Sequence, residues 1–281
     1  MKPIYRILTC LLVICFCMPL LAHGDRPMYE GPGWDTPEEA VLYYLEGLKE
    51  QDIGKMIGAY AIETYIDHFD LTTLLIRINA YTPALVPRLP NTGDLLRAMN
   101  VEARKNEIMQ GLFFHMVSIC MPEQDFLNTT AFMSDNKEEE AKVFVEGLEH
   151  AFGAVDFSTL KVLRFYPPEE IEDRYASEQN QENIKRQIAP TGADEARSVV
   201  VFFTVDDIVC VLGCDVMRYG DRWYMFRAQG NISNLLGFTA NTGGLAAVPV
   251  QELIALKDEL GTNAPVGLDQ YIRDILELLE E

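Results

Sequence analysis

The sequence is poor in basic residues. It has 23 Lys and Arg against 43 Asp and Glu, and its formal net charge at pH 7 is −20. Binding to the phosphates of DNA or RNA needs clustered Lys and Arg, so this shortage argues against nucleic acid as a partner. It also disfavours attachment to anionic membrane surfaces. An acidic surface of this kind keeps a secreted protein soluble.

The sequence also lacks the short motifs of common catalytic and cofactor sites. It contains no P-loop, no Gly-x-Gly-x-x-Gly, no Gly-x-Ser-x-Gly and no His-Glu-x-x-His. The histidines and cysteines show no spacing typical of a zinc site. We therefore expect no metal and no cofactor, and the motifs by themselves point to no reaction.

Long apolar runs are scarce, and the most extended one lies at the N-terminus. Residues 7–22 are apolar apart from one threonine and one proline, and they follow two basic residues. This pattern, with small residues at Ala22 and Gly24, is typical of a cleaved secretory signal. We expect residues 1–24 to be removed and the mature protein to be secreted or extracytoplasmic. A membrane anchor formed by an uncleaved N-terminus is the alternative.

Removal of that segment leaves three cysteines, Cys120, Cys210 and Cys214. On one extended strand, at ~3.3 Å per residue, the Cα atoms of Cys210 and Cys214 lie about 13 Å apart. A disulfide requires roughly 7 Å or less. These two thiols are therefore not expected to bond to each other, although a pair that includes Cys120 stays open. Each cysteine is expected to act as a small buried hydrophobic residue.

Helix start signals follow a linker at residues 25–34. Thr36 is a predicted N-cap, and Glu39 three residues later completes a capping box. Asp52 and Asp70 are predicted to cap the next two helices, each of which carries an apolar stripe.

The middle of the chain alternates helical and extended patterns. A long helix is expected at residues 95–121, with its second half buried. Another helix should open at residues 134–138, with Phe144 and Val145 facing inward. Residues 157–166 read as a first strand. The polar stretch at residues 168–195 reads as a surface helix or an irregular excursion.

Three consecutive strands are predicted between Ser198 and Gly230. The runs are β-branched and aromatic, and Gly220 with Asp221 suits a type II′ hairpin turn. A two-residue turn would place Asp215 opposite Phe226. Period-2 alternation would then put four side chains on one face of the sheet. They are Asp215, Met217, Tyr224 and Phe226.

Two segments resemble the NTF2-like superfamily, a cone-shaped α+β fold. TPEEAVLYYLEGLKEQDIGKMIGAY, Thr36 to Tyr60, looks like its opening helix pair. YGDRWYMF, Tyr219 to Phe226, looks like its final hairpin. The resemblance implies N-terminal helices packed on a curved antiparallel sheet in a domain at residues 35–230. Extra helices lie between residues 61 and 150. A C-terminal helical extension is expected at residues 231–281.

That superfamily includes isomerases, hydrolases and many binding modules without chemistry, and its enzymes use polar residues inside the cone. Asp215 beside aromatic residues is the first candidate for an acid or base, because apolar neighbours would raise its pKa. His68 and His115 are the other candidates. The opposing interpretation is that Asp215 faces solvent or pairs with Arg218 or Arg222, and that the histidines are core or edge residues.

Five residues are candidates for lining a pocket inside the cone: Tyr44, Tyr60, Met217, Tyr224 and Phe226. The sequence favours a secreted, non-catalytic binding or assembly module at the cell envelope, of unknown partner. One alternative is a small-molecule-binding protein, or an isomerase- or hydrolase-type enzyme, with its pocket inside the cone. The other is a structural homo-oligomer, such as a homodimer, joined through the sheet or the amphipathic C-terminal helix.

Overall fold

The fold is α+β, with helices packed on a curved five-stranded antiparallel sheet. The computed structural model describes residues 28–81, 88–122, 132–133, 135–227, 229–237, 242–260 and 274–279. The helices before the sheet are α1 Pro37–Glu50, α2 Ile53–Gly58, α3 Glu63–His68, α4 Leu71–Ile78, α5 Asp94–Cys120 and α6 Lys137–Ala154. Among the strands and after them come α7 Pro168–Ile171, α8 Glu178–Ile188, α9 Asn231–Leu235 and α10 Val250–Leu260. The strands are β1 Lys161–Tyr166, β2 Glu195–Val205, β3 Ile208–Tyr219, β4 Arg222–Arg227 and β5 Leu245–Pro249.

Local capping starts the first helices at the predicted residues. The hydroxyl of Thr36 accepts from the backbone N–H of Glu39, whose carboxylate accepts from the backbone N–H of Thr36. Asp52 caps α2 and Asp70 caps α4 through the same kind of side-chain bond. Each cap satisfies an N–H group that the helix itself cannot pair. These three start sites are therefore confirmed.

The sheet has the order β1–β2–β3–β4, and β5 also pairs with β3. β4 and β5 share one side of β3, since β4 pairs with Asp215–Tyr219 and β5 pairs with Ile208–Leu212. The turn between β3 and β4 begins at Gly220, whose φ of +61° is the left-handed value that a type II′ turn needs at this position. The predicted hairpin is confirmed.

The predicted register of that hairpin is wrong at one end. Met217 pairs with Tyr224 as expected, but Asp215 lies opposite Arg227 and not opposite Phe226. The register shifts between Asp215 and Val216, which is the signature of a β-bulge. A bulge inserts one unpaired residue, so strict alternation across the hairpin could not place the end of β4.

Three other expectations need correction. The first strand starts at Lys161, because Asp156 caps a 3-10 turn over Phe157–Thr159. The segment after Gly230 is not purely helical, since it supplies β5. Val145 on α6 is half exposed, whereas Phe144 on the same helix is partly buried and no residue of α6 is fully buried, so the predicted inward face forms only in part.

The core lies on both faces of the sheet. The larger cluster packs β2–β5 against α1, α2, α3 and α5, and the smaller one packs the other face against α9, α10 and helical residues 274–279. Ile275 is 4% exposed in the smaller cluster, so the described end of the C-terminal helix docks on its own chain. Cys120, Cys210 and Cys214 are free and buried, as expected. No helix among the described residues is long and apolar enough to cross a bilayer.

Gly230 is held against the sheet so closely that no side chain fits. A Cβ atom there would lie 2.7 Å from the Cys214 carbonyl carbon and 2.8 Å from the Asp215 backbone nitrogen. We expect Gly230→Ala to lower the free energy of unfolding by about 1–3 kcal/mol, since backbone atoms cannot yield. Urea denaturation monitored by circular dichroism measures the change.

The matched control is Gly147→Ala inside α6, where a Cβ would meet nothing within 4 Å. Alanine should stabilise that helix by about 1 kcal/mol. The same substitution thus has opposite signs at the two sites. A neutral or stabilising effect at Gly230 would contradict the close packing.

Candidate functional site

Asp215 is a buried structural carboxylate. It accepts hydrogen bonds from the Ser198 hydroxyl at 2.7 Å, from the Asn231 backbone N–H at 2.9 Å and from Arg227 Nε at 2.9 Å. The predicted alternatives for its partner, Arg218 and Arg222, were wrong. These bonds join the carboxylate to β2, to β4 and to the start of α9.

His115 is also engaged in the core. Its Nε2 faces the Gly243 carbonyl oxygen at 2.9 Å, and its Nδ1 faces the Tyr44 hydroxyl. A carbonyl can only accept, so Nε2 carries the hydrogen and Nδ1 accepts from Tyr44. Burial lowers the pKa of His115 to about 4, which leaves the imidazole neutral at physiological pH.

Among the described residues, His68 shares no hydrogen-bond partner with Asp215 or His115. Its Nδ1 donates to the Thr64 carbonyl oxygen at 2.8 Å within α3, and its ring lies 5.2 Å from that of Tyr219. Asp215, His68 and His115 therefore each bond to separate partners in the described part of the chain. The structure does not assemble them into one acid–base site.

The five predicted pocket residues divide into two groups. Tyr44 and Met217 are fully buried, and Tyr224 packs edge-on against Trp34, so these three fill the space between helices and sheet. Tyr60 and Phe226 line clefts that open at the end of the sheet.

Two adjoining clefts open where β4 ends beside α5. One has a volume of about 420 Å³ and the other of about 340 Å³. We call the pair the arginine cleft, defined by the four residues that line both parts: Arg104, Glu107, Phe226 and Arg227. Tyr60 lines the first part. Arg77, Arg88, Tyr65 and Gln187 line the second.

Guanidinium groups and aromatic rings alternate through this site. Arg88 and Arg104 lie 5.7 and 4.7 Å from the Tyr65 ring centroid, and Arg104 and Arg227 lie 4.9 and 5.5 Å from that of Phe226. Attraction between a cation and the negative face of a ring favours these positions of the guanidinium groups. The arginines are thus held in place by packing.

Hydrogen bonds fix the same arginines further. Glu107 accepts from Arg88 at 2.7 Å and from Arg104 at 3.2 Å. Arg104 also donates to the carbonyl oxygens of Ala61 and Phe226, which ties α5 to the start of α3 and to β4. Arg88 and Arg104 are about 5% exposed, whereas Glu107 is about 40% exposed. Two nearly buried cations therefore share a carboxylate that is partly in water.

Other cavities have walls of different character. A larger cleft of about 840 Å³ carries both signs of charge, among them Glu169, Lys185 and Glu195. A cleft of about 460 Å³ is lined by carboxylates such as Glu30 and Glu63, which accept hydrogen bonds from backbone N–H groups. The arginine cleft differs from both because its lining is mostly positive, whereas the whole chain has a negative net charge.

The sequence analysis missed the arginines, although one signal was present. Five residues of α5 at helical spacing are buried: Val101, Arg104, Ile108, Leu112 and His115. An arginine on an apolar stripe is unusual, because a charged side chain is rarely buried unless it is paired. Arg227 carried no such signal, since its position depends on the bulge.

Comparison with known proteins gives a weak likeness in fold. No family model matches the chain, and no curated protein matches it. Among solved structures, the chain is similar to a cystatin-like protein from Ruminococcus gnavus ATCC 29149, with 16% identity and a TM-score of 0.36. The match covers 67% of this chain and 39% of the cystatin-like protein. This chain therefore spans well under half the length of that protein.

The buried imidazole predicts a specific pH dependence of stability. His115 has a folded-state pKa of about 4, below the roughly 6.5 of an unfolded chain. Between pH 6.5 and pH 4, His115 binds a proton in the unfolded chain but not in the folded protein. The free energy of unfolding should therefore fall by roughly 3 kcal/mol as the pH drops from 6.5 to 4.

Urea denaturation across that pH range measures the slope for the wild type and for His115→Gln. The variant should lose the His115 contribution to the slope and be less stable at pH 7. Tyr44→Phe is the control, because it removes the hydroxyl and keeps the imidazole. An unchanged slope in His115→Gln would contradict a buried neutral histidine.

Proposed function

We propose that this chain is an extracytoplasmic, non-catalytic binding module that takes a small molecule in the arginine cleft. The observation that carries the proposal is the cleft itself, whose walls place Arg77, Arg88, Arg104 and Arg227 around Glu107. Ligand sites are typically concave, largely preformed and supplied with a few fixed polar groups. The stacked guanidinium groups and the two aromatic rings match that description.

Among the described residues, the three candidate acid–base groups bond to separate partners, which supports binding over catalysis. A general base must reach the proton it removes and must have capacity to accept it. Asp215 is hydrogen-bonded by a serine, a backbone N–H and an arginine, and His115 is enclosed by Tyr44 and Gly243. The space inside the cone is occupied by core side chains, so we place the ligand at the end of the sheet.

We also propose NTF2-like ancestry for the domain. Its support is the order of elements, a capped opening helix pair followed by an antiparallel sheet with a tight final hairpin. The extra helices α3–α5 in this chain then have a definite consequence. They supply Tyr65, Arg77 and Arg104, which form much of the arginine cleft.

A thermal-shift screen tests the binding function. The mature protein is heated in the presence of neutral, cationic and anionic small molecules, and the midpoint of unfolding is recorded. Binding to the folded state raises the midpoint. We expect at least one class of compound to raise it in a concentration-dependent way.

Gln110→Trp makes the screen specific to the site. Gln110 is exposed on α5 and lines the cleft, so an indole there should fill the cleft and abolish the shift. Met99→Trp is the control, because Met99 is exposed on the same helix three turns away. If no compound shifts the wild type, or if Gln110→Trp leaves every shift unchanged, the proposed function fails.

The location has its own test. The N-terminal segment lies outside the described residues, and its pattern predicts export with removal of residues 1–24 or 1–22. N-terminal sequencing of the exported protein should begin at His23 or Asp25. An intact Met1 would rule out cleavage and favour an anchored form.

A further inference from the structure

We infer that the ligand of the arginine cleft is a small molecule that carries at least two acidic groups, either carboxylates or phosphates. This inference rests on the proposed function and specifies the ligand class. The planar fork of a guanidinium matches both kinds of oxyanion, so the shared chemistry is a set of negatively charged oxygens.

The balance of charge in the cleft is the first support. Four arginines line the part of about 340 Å³. Among the described residues that line this part, Glu107 supplies the carboxylate. Arg227 is also paired with Asp215 behind the wall. Two carboxylates against four guanidinium groups leave an excess of positive charge in a recessed site, where water screens charges less than at an open surface.

The burial of Arg104 makes the excess positive charge energetically costly. Its side chain is 6% exposed, and its guanidinium is held by the Glu107 carboxylate and two backbone carbonyl oxygens. Removing a cation from water is costly unless charge of opposite sign replaces the lost hydration. Glu107 supplies part of it while also accepting from Arg88. A ligand oxyanion in the cleft would supply more.

The cleft offers positions for oxyanions in both of its parts. Arg104 and Arg227 line both parts. Arg77 and Arg88 line only the part next to the end of α8, and Gln110 and Tyr60 line only the other part. The phenyl ring of Phe226 borders both parts and gives an apolar surface for the body of the ligand. Two adjoining parts that each contain guanidinium groups fit a ligand with two acidic groups.

Tyr60 is an independent sign of a ligand in the first part of the cleft, which Gln110 also lines. Its side chain is 1% exposed, and its hydroxyl has no hydrogen-bond partner among the described residues. A buried hydroxyl without a partner is unfavourable and rare in native structures. Burial raises the pKa of Tyr60, so the hydroxyl stays protonated and can donate to an acidic oxygen.

The size of the ligand follows from the acidity of the rest of the chain. The formal net charge is −20, so an extended polyanion that leaves the cleft would meet a repulsive surface. A small anion that stays inside parts of about 340 and 420 Å³ avoids that repulsion. We therefore expect a compact molecule and not a nucleic acid or a long acidic polymer.

Isothermal titration calorimetry tests the inference with defined probes. Citrate presents carboxylates, pyrophosphate presents phosphates, and acetate is the single-charge reference, all at the same ionic strength set with sodium chloride. At least one of the two multivalent probes should bind, and acetate should bind about tenfold more weakly or worse. The preferred probe identifies the oxyanion.

Two substitutions in the cleft should have opposite effects. Arg77 is exposed and lines the cleft, so Arg77→Gln should weaken binding of the preferred probe about tenfold without loss of the fold. Glu107→Gln removes the carboxylate that competes for Arg88 and Arg104, so it should tighten binding by roughly threefold or more.

The exposed pair Arg186 and Glu182 on α8 provides matched controls outside the cleft walls. Arg186→Gln changes the net charge as Arg77→Gln does, and Glu182→Gln changes it as Glu107→Gln does. Both controls should leave the affinity within about twofold. Equal effects at Arg77 and Arg186, or weaker binding in a folded Glu107→Gln, would overturn the inference.

The outcome also separates this inference from the proposed function. If only neutral or cationic compounds shift the wild type, and Gln110→Trp abolishes those shifts, the cleft is a binding site and the acidic ligand is wrong. If no compound binds at all, both fail. Binding of citrate or pyrophosphate with the predicted pattern of variants supports both.

Discussion

The buried carboxylate of Asp215 is the interaction on which both the sheet and the cleft depend. It connects β3 to β2 through Ser198, to the start of α9 through Asn231 and to β4 through Arg227. Removing the cation that pairs with a buried carboxylate destabilises the folded state by several kcal/mol. The ion pair therefore favours the bulge that brings Arg227 opposite Asp215. The same bulge takes Phe226 out of the regular pairing. The chain thereby gains two residues of the cleft at one irregular point of the hairpin.

Arg104 has the corresponding role on the helical side. Its guanidinium donates to the Phe226 carbonyl oxygen on β4 and to the Ala61 carbonyl oxygen before α3, so one side chain joins three elements. The neighbouring rings of Tyr65 and Phe226 both contact its guanidinium group. Groups held by packing and hydrogen bonds lose little freedom when a ligand binds, which favours affinity at a small cost in entropy. The cleft is therefore preorganised by the same contacts that join α5 to the sheet.

Local signals in the sequence predicted what local physics decides. The caps at Thr36, Asp52 and Asp70 and the hairpin turn at Gly220 depend on neighbouring residues alone, and the structure contains them. The bulge at Asp215 could not be predicted, because it depends on a residue 12 positions along the chain. β5 was missed because its short strand is stabilised by pairing with β3, to which it is joined by α9 and a long connection. Tyr60 and Phe226 were predicted to line a pocket inside the cone, and they line the arginine cleft at the end of the sheet instead. The arginines were not predicted, because they form one cleft only when separate elements pack together.

The filled interior supports the proposed binding site, and the acidic charge limits what that site would take. Side chains such as Tyr44 and Met217 occupy the space between helices and sheet, so the proposed site lies in the cleft where α5, β4 and α4 meet. Stability alone does not call for nearly buried arginines at that margin. Apolar side chains of similar volume in place of a buried ion pair are often neutral or stabilising. What Arg88 and Arg104 add, and apolar residues could not, is a fixed positive potential inside an acidic protein. In the proposed function, such a potential attracts compact anions into the cleft while the surrounding carboxylates repel larger ones.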